Sequence, residues 1–517
     1  MANTPLRIPA AQMSDPPITK AHLLVLLVVA VAALAWGAAL ILGEKGTPLE
    51  EYLLLLGLLG LASAVFIFSR IRENHIGVFY FPVFLTILVF VRFGVAPVVN
   101  FVEPKSLSPD FVGDYGFLIT ALAYVTAGML AFWAGCSLAL RKSETGAPEA
   151  ARKPAGQGPA EGSILVWAAA IYAAVFAAKL YLLHSHLFSY VGSWQAYNAN
   201  LSQLQVLSTV ASLGGGAALT LVTIERYFHP ADMAARKLFW AIFLMECAWG
   251  VASGMKADAL QPLVIVAMVS SLIERKFKKG WVAVALLGLI AIYPFTNNYR
   301  QVVLKEGGLS SVAGVASAAT KALTETQQDQ RGASGWVQNG WTLSVKRVDM
   351  LTSFGLVLWL GKKVDALRGE ERWWMVPYYP FIPRFMWHSK PVLDKGRRFS
   401  VAIGSTDTSS MAITYPGDLF ANYGLPGVLA GMFLLGVVVQ ALTNTITGVP
   451  DKRRLFIYAA MFISVSHLET DSFSYLTSLI KNLVMLSIIA FVIYGPVRRA
   501  AKVKVVRRKT VEQPCES

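Results

Sequence analysis

Charge is what this chain has least of. Only 15% of its 517 residues are charged, whereas 55% are hydrophobic; a soluble domain typically carries about 25% charged residues. That shortfall excludes an ordinary soluble protein, and the apolar content excludes a disordered scaffold. Cysteine is scarce too. Cys136, Cys247 and Cys515 stand far apart and offer neither a disulfide framework nor a metal-ligand spacing. No His/Cys/Asp cluster has metal spacing, no DxD-like nucleotide-sugar element stands in a soluble domain, and no Walker-type glycine loop is present. Chemistry without a metal, a cofactor or ATP is therefore expected.

Apolar length is what the chain has most of. Crossing a hydrocarbon core of roughly 30 Å takes about 20 apolar residues in a helix, and lipid allows no unpaired backbone. Twelve such runs are expected, near 22–43, 51–69, 77–98, 115–140, 163–187, 203–225, 236–254, 257–274, 279–296, 425–447, 454–468 and 473–495. The fold class is an all-α polytopic membrane protein. Its expected organisation is a leader (1–21), nine helices (22–296), an external segment (297–424), three helices (425–495) and a basic tail (496–517). The stretch 141–162 reads as a flexible Pro/Gly/Ala-rich linker.

The net charge of +15 is distributed unevenly. Alternate loops are basic: Arg70 and Arg72, Arg141 to Lys153, Arg226 to Lys237, Arg275 to Lys279, Lys452 to Arg454. The positive-inside bias then puts both termini in the cytoplasm. Seven Lys/Arg between Arg498 and Lys509 would meet anionic membrane lipids on that side. Without a basic-aromatic fold segment, nucleic acid is not the expected partner. A basic tail and no transit-type leader suggest a bacterial inner membrane.

The external segment, 128 residues long, departs from this rule. It holds 15 Lys/Arg against 10 Asp/Glu, a surplus of cations on the side that normally lacks them. Long external segments are commonly functional. Membrane-surface helices are expected there, a short amphipathic one at 309–325 and a longer one with an apolar centre at 340–367, followed by an aromatic, proline-rich passage from Trp373 to Pro391 suited to the headgroup level. Arg300 closes the run YPFTNNYR. Arg384, His388 and Lys390 sit among aromatic rings, and Lys395, Arg397 and Arg398 follow. Arginine grips phosphate bidentately and lysine adds a point charge, so these residues suit an anionic headgroup with an apolar tail.

The run IPRFMWHSKPVLDKGRRFSVAIG, followed by ITYPGDLFANYGLPGVLAG, resembles the Wzy-like oligosaccharide repeat-unit polymerases of O-antigen and exopolysaccharide synthesis. The turn ASGMKADAL is similar to a short glycine–lysine turn of that family, and NNYR is a weaker match; usable motifs cover about residues 250–435. His388 departs from the family pattern. The resemblance implies a GT-C-like architecture and transfer of a glycan between two polyprenyl-pyrophosphate-linked oligosaccharides at the outer face of the inner membrane. It also implies a separate chain-length regulator as a partner.

That reaction needs cations for the departing pyrophosphate and an acceptor for the hydroxyl proton. The cation candidates are Arg300, Arg347, Arg384, Lys390, Arg397, Arg398 and Lys256. The candidate bases are Asp418, Glu469, Asp471 and His388, with His467 close by. Asp349 is expected to pair with Arg347 or Lys346. Two other readings share these features: an O-antigen-ligase-like glycosyltransferase, and a flippase or transporter of lipid-linked oligosaccharide. The second should place ionisable groups inside its spans, and the expected spans carry few.

Overall fold

The computed structural model describes residues 47–73, 77–102, 115–140, 161–188, 201–274, 279–306, 308–329, 348–384, 386–405, 410–445 and 451–511. All regular structure among them is helical. The helices are α1 (Pro48–Glu73), α2 (Phe81–Val89), α3 (Val98–Val102), α4 (Gly116–Ala139), α5 (Glu161–His184), α6 (Leu201–Phe228), α7 (Met233–Ala252) and α8 (Lys256–Glu274). They continue with α9 (Lys279–Lys305), α10 (Val312–Asp329), α11 (Leu351–Leu360), α12 (Lys395–Ala402), α13 (Tyr415–Asn444), α14 (Lys452–Ser466) and α15 (Ser472–Val511).

Eight helical stretches among the described residues are long and apolar enough to cross a membrane. They are α1, the α2–α3 rod, α4, α5, α6, α8, α13 and the first part of α15. The chain is thus an all-α polytopic membrane protein. Three further expected spans are helices here, α7, α9 and α14. The last has 15 residues, about 22 Å at 1.5 Å per residue, and is short for the hydrocarbon core. The expected leader, the first run at 22–43 and most of the linker at 141–162 lie outside the described residues. Side chains such as Leu58, Leu130, Leu138, Val166, Leu244 and Phe491 are exposed along the helices, the outer surface a bundle turns toward lipid.

Two glycine contacts fix the centre. A Cβ added at Gly135 on α4 would sit 2.1 Å from the Phe433 carbonyl oxygen, and one at Gly436 on α13 would sit 2.1 Å from the Phe132 carbonyl oxygen. Each helix therefore lends its neighbour the space of a missing side chain, the close approach small residues permit in lipid. The second centre is α6. Its run Gly214–Gly216 meets a different partner at each position: Val175 of α5, Glu246 of α7 and Gln261 of α8.

The bundle has two distinct ends. At one, Arg70 donates to Ser137 (2.8 Å), Asn444 to the Ala139 carbonyl (2.8 Å), and Lys452 to Glu225 (3.1 Å). At the other, the Met350 N–H donates to the Arg92 carbonyl, and Thr414 and Tyr415 donate to the carbonyls of Glu469 and Leu468. Arg70 and Lys452, expected to be cytoplasmic, lie at the first end, and Glu469, a candidate site residue, lies at the second.

Of the expected helix over 340–367, residues 340–347 lie outside the described residues, and the remainder is corrected. Asp349 and Met350 are non-helical, and α11 starts at Leu351 because Asp349 accepts from the Thr352 N–H (3.1 Å) and hydroxyl. Gly361, at φ +50°, ends it, and a 3-10 stretch runs to Leu367. Helix α11 is buried rather than superficial: Leu351, Phe354, Val357 and Leu360 belong to the main core. Helical structure runs into the expected external segment from both edges, since α9 reaches Lys305 and α13 begins at Tyr415. The 309–325 helix is present as α10, packed on α9 through Ala318 and Ala322 against Tyr299 and Val302.

Gly436→Leu should lower the melting temperature of the detergent-solubilised protein by several degrees, since overpacking costs roughly 1–3 kcal/mol and the neighbour here is backbone. Gly495→Leu, where a new Cβ meets nothing within 4 Å, should leave it unchanged. Tryptophan fluorescence on heating checks both, and equal shifts would contradict the close crossing.

Candidate functional site

The motif ITYPGDLFANYGLPG builds a bent entry into α13. Thr414 caps the helix from a left-handed conformation (φ +68°), its hydroxyl accepting from the Gly417 N–H (3.2 Å). Gly424, at φ +65°, breaks the helix, so residues 415–423 form a separate short helix above the span. Asp418 is the centre of this segment and is fully buried. Its Oδ1 accepts from Lys395 Nζ (2.9 Å) and Asn422 Nδ2 (2.9 Å); its Oδ2 accepts from the Ser472 N–H (3.0 Å) and hydroxyl. A carboxylate with four donors is a tie between elements.

Lys395 opens α12, and its side chain is only 5% exposed. Burial disfavours its charge, but Asp418, with Asp471 and Glu371, more than offsets this and holds its pKa above the usual lysine value. The next residues lock the helix to the external segment. Arg397 bonds Asp394 (3.1 Å), and Arg398 bonds both Asp394 (2.8 Å) and Glu371 (2.7 Å). Both of these expected phosphate ligands are thus engaged by carboxylates. Asp471 lies just before α15 and accepts from the Ser474 N–H (2.8 Å). Burial, then the neighbouring Asp418 charge, push its pKa up, with Lys395 and Ser474 opposing.

A different set of cations is left without carboxylates. The passage from Trp373 to Pro391 folds as turns against the start of α15, where Tyr379 packs edge-on to Phe473 (5.1 Å between centroids) and to Trp387 (6.0 Å). The Lys390 ammonium sits 4.3 Å from the centre of the Tyr379 ring and donates to the Ile382 carbonyl (2.8 Å). Arg384 donates to the carbonyls of Lys390 (3.0 Å) and Pro391 (3.1 Å). The third cation is Lys481, which reaches Thr209 Oγ1 of α6 (3.3 Å). Every bonding partner of Arg384, Lys390 and Lys481 among the described residues is neutral. Burial first, then the charges of Arg384 and Lys481, lower the Lys390 pKa to about 8, as burial and neighbouring like charges both disfavour the ammonium form.

Lys481 escaped the sequence reading because it stands inside an apolar run, SYLTSLIKNLVML, that reads as a span. A lysine about 13 Å along that helix (nine residues at 1.5 Å) is itself a signal. Lys179 and Glu246 went unread for the same reason. They form an ion pair at 2.6 Å within α5 and α7, with side chains 9% and 11% exposed, so the spans are less free of charge than the sequence suggested.

The other expected residues are placed as follows. Arg300 Nε donates to the Gly254 carbonyl (2.8 Å) and the Tyr299 hydroxyl to the Ala252 carbonyl (3.1 Å). NNYR therefore clasps the ASGMKADAL turn, whose Gly254 has φ +67°. Lys256, half-buried, begins α8 in that turn. Glu469 is paired with Arg92 (2.6 Å), which projects from the π-turn Phe90–Val95. His388 is exposed on a turn. Arg347, like Lys346, lies outside the described residues. Among the described residues, no group of three or more His, Cys, Asp or Glu is placed to hold a metal ion. An apolar cavity between α2, α4 and α13, lined by Phe93, Val125, Val428 and Met432, includes none of the charged groups.

The chain belongs to a family described only as a domain of unknown function (DUF8712), which matches residues 169–494. That stretch contains both the Lys395–Asp418 tie and the three cations. No curated protein and no solved structure matches the chain.

Removing one partner of a buried ion pair strands the other charge and costs about 3–5 kcal/mol. Asp418→Asn and Lys395→Met should each destabilise the protein strongly, and the double variant should lose less than the two losses added. A double-mutant cycle on melting in detergent measures this; strict additivity would mean that the two charges do not interact.

Proposed function

We propose that this member of the DUF8712 family polymerises lipid-linked oligosaccharide repeat units, transferring a glycan from a polyprenyl-pyrophosphate donor to a hydroxyl of an acceptor repeat unit. The observation that carries this reading is the group formed by Arg384, Lys390 and Lys481, whose bonding partners among the described residues are all neutral. Three cations around one position suit two linked phosphates, and aromatic side chains beside them suit the apolar chain that a polyprenyl carrier brings. The resemblance of the 382–435 region to Wzy-like polymerases agrees with the same chemistry. In this reading the chain has about twelve spans in a GT-C-like arrangement in a bacterial inner membrane. Both termini are cytoplasmic, and the site end faces outward.

The chemistry follows from charge. As the glycosidic bond to pyrophosphate breaks, negative charge grows on the leaving oxygen. Cations already in position stabilise that charge without reorganising. Lys390 and Arg384 are held by backbone carbonyls, and Lys481 by a threonine hydroxyl, so none has to leave a carboxylate first. Arg397, Arg398 and Lys395 support the external segment that carries them. A second reading, transport of the lipid-linked oligosaccharide, draws on the Lys179–Glu246 pair inside the spans.

A glycan ladder separates the readings. A strain lacking the gene should show single repeat units, wild-type complementation should restore long chains, and Lys481→Met should not restore them despite normal expression. Long chains stranded on the lipid carrier would point to a ligase, and single units held on the cytoplasmic face to a transporter.

The lowered Lys390 pKa makes a further prediction. The bare folded protein binds fewer protons than the unfolded chain between pH 8 and roughly 10.4, so this group favours stability as pH rises across that window. Pyrophosphate binding needs the charged form and should change in the opposite sense. Thermal protection by polyprenyl pyrophosphate should be greatest below pH 8, fall above it, and persist to higher pH in Lys390→Arg. Protection that is level from pH 7 to 10 in the wild type would remove Lys390 from the site.

A further inference from the structure

Helix α6 links Lys481 to a second polar group. Lys481 of α15 meets Thr209 of α6, and Gln261 of α8 meets Gly216, where an added Cβ would lie 3.0 Å from the Gln261 Nε2. Positions 209 and 216 are seven residues apart. They therefore share one face of α6, about 10 Å from each other along its axis. Asp258 stands one turn before Gln261 on the same flank of α8, nearer the end that carries the site. Lys481 and Asp258 thus approach one stripe of α6 from two different helices.

The acids at this end differ in how they are used. Asp418 has four donors, Glu469 is held by Arg92, Asp394 and Glu371 are held by Arg397 and Arg398, and Asp471 caps α15. Asp258 is exposed and hydrogen-bonded by Ser253, with Lys179, Glu246 and His467 as the charged groups that face it. Lys179, one of the groups that face it, is closed on Glu246 at 2.6 Å. A carboxylate beside a closed ion pair, just inside a span, is a costly arrangement that membrane proteins keep at working sites.

We infer that Asp258 accepts the proton of the attacking hydroxyl and that the α6 stripe between Asp258 and Lys481 is where donor and acceptor glycans meet. The inference rests on the glycosyl-transfer reading above. In the step, the acceptor oxygen bonds to the anomeric carbon. The bond from that carbon to the pyrophosphate oxygen breaks, and its electron pair leaves on polyprenyl pyrophosphate. The hydroxyl proton passes to the Asp258 carboxylate.

The test uses the purified full-length chain in detergent, with single-repeat lipid extracted from the gene-deletion strain as substrate. Asp258→Asn keeps the shape and the bond from Ser253 but cannot take the proton. It should lose about 100-fold or more in rate, the low end of what a general base contributes. Its melting temperature and its thermal protection by polyprenyl pyrophosphate should stay at wild-type values. Asp258→Glu should recover part of the rate, and the acidic limb of the pH–rate profile should vanish from the residual activity of Asp258→Asn. A rate within threefold of wild type in Asp258→Asn would overturn the inference while leaving the polymerase reading intact, as would a loss explained by unfolding or lost pyrophosphate binding. If the wild-type protein builds no chains from this substrate and is not protected by polyprenyl pyrophosphate, the reading underneath fails and the inference with it.

Discussion

The tie from Lys395 through Asp418 to Ser472 is the interaction on which the rest of this end of the bundle depends. It joins three parts of the chain that are remote in sequence: α12 of the external segment, the bent entry of α13, and the first residue of α15. Each part carries something else. Arg398 on α12 holds Glu371, and so the start of the aromatic passage. Helix α15 carries Phe473, on which Tyr379 rests, and Lys481. Without the carboxylate the aromatic passage would lose its floor and Lys390 its neighbours. Burying two charges is costly unless each is bonded on all sides; Asp418 meets that condition with four donors.

The cations of this end fall into two groups with different electrostatic roles. Lys395, Arg397 and Arg398 are neutralised by Asp418, Asp394 and Glu371, and they work as fasteners. Arg384, Lys390 and Lys481 are bonded by carbonyls, a ring face and a hydroxyl. A guanidinium or ammonium held by neutral groups keeps its charge uncompensated, which is the condition for attracting an anion from outside.

The fold class and the place of most helices were legible in the sequence, because apolar length and lipid leave few alternatives. The motif around Asp418 was legible as important, though not as a tie. ITYPGDLFANYG contains a cap, a proline, two glycines and a buried acid, and only the positions of Lys395 and Ser472 show what the acid is for. Helix α11 was misread as longer because its apolar centre is flanked by residues of helical habit, and the stop at Asp349 depends on a side-chain bond to Thr352. Lys481 was hidden by its own surroundings, since one charge in a long apolar run barely changes its average.

The sequence by itself determined that the chain lives in a membrane, which loops gather at one end, and that the opposite end collects cations and aromatic rings. These follow from composition and from the cost of unpaired backbone in hydrocarbon, which act on each segment separately. Only the tertiary structure decided which cations are spent on carboxylates and which are bonded by neutral groups. That distinction rests on pairs such as Arg398 with Glu371 and Lys481 with Thr209, 27 and 272 residues apart. The net field at a site is a sum over neighbours in space, and chain order does not specify those neighbours.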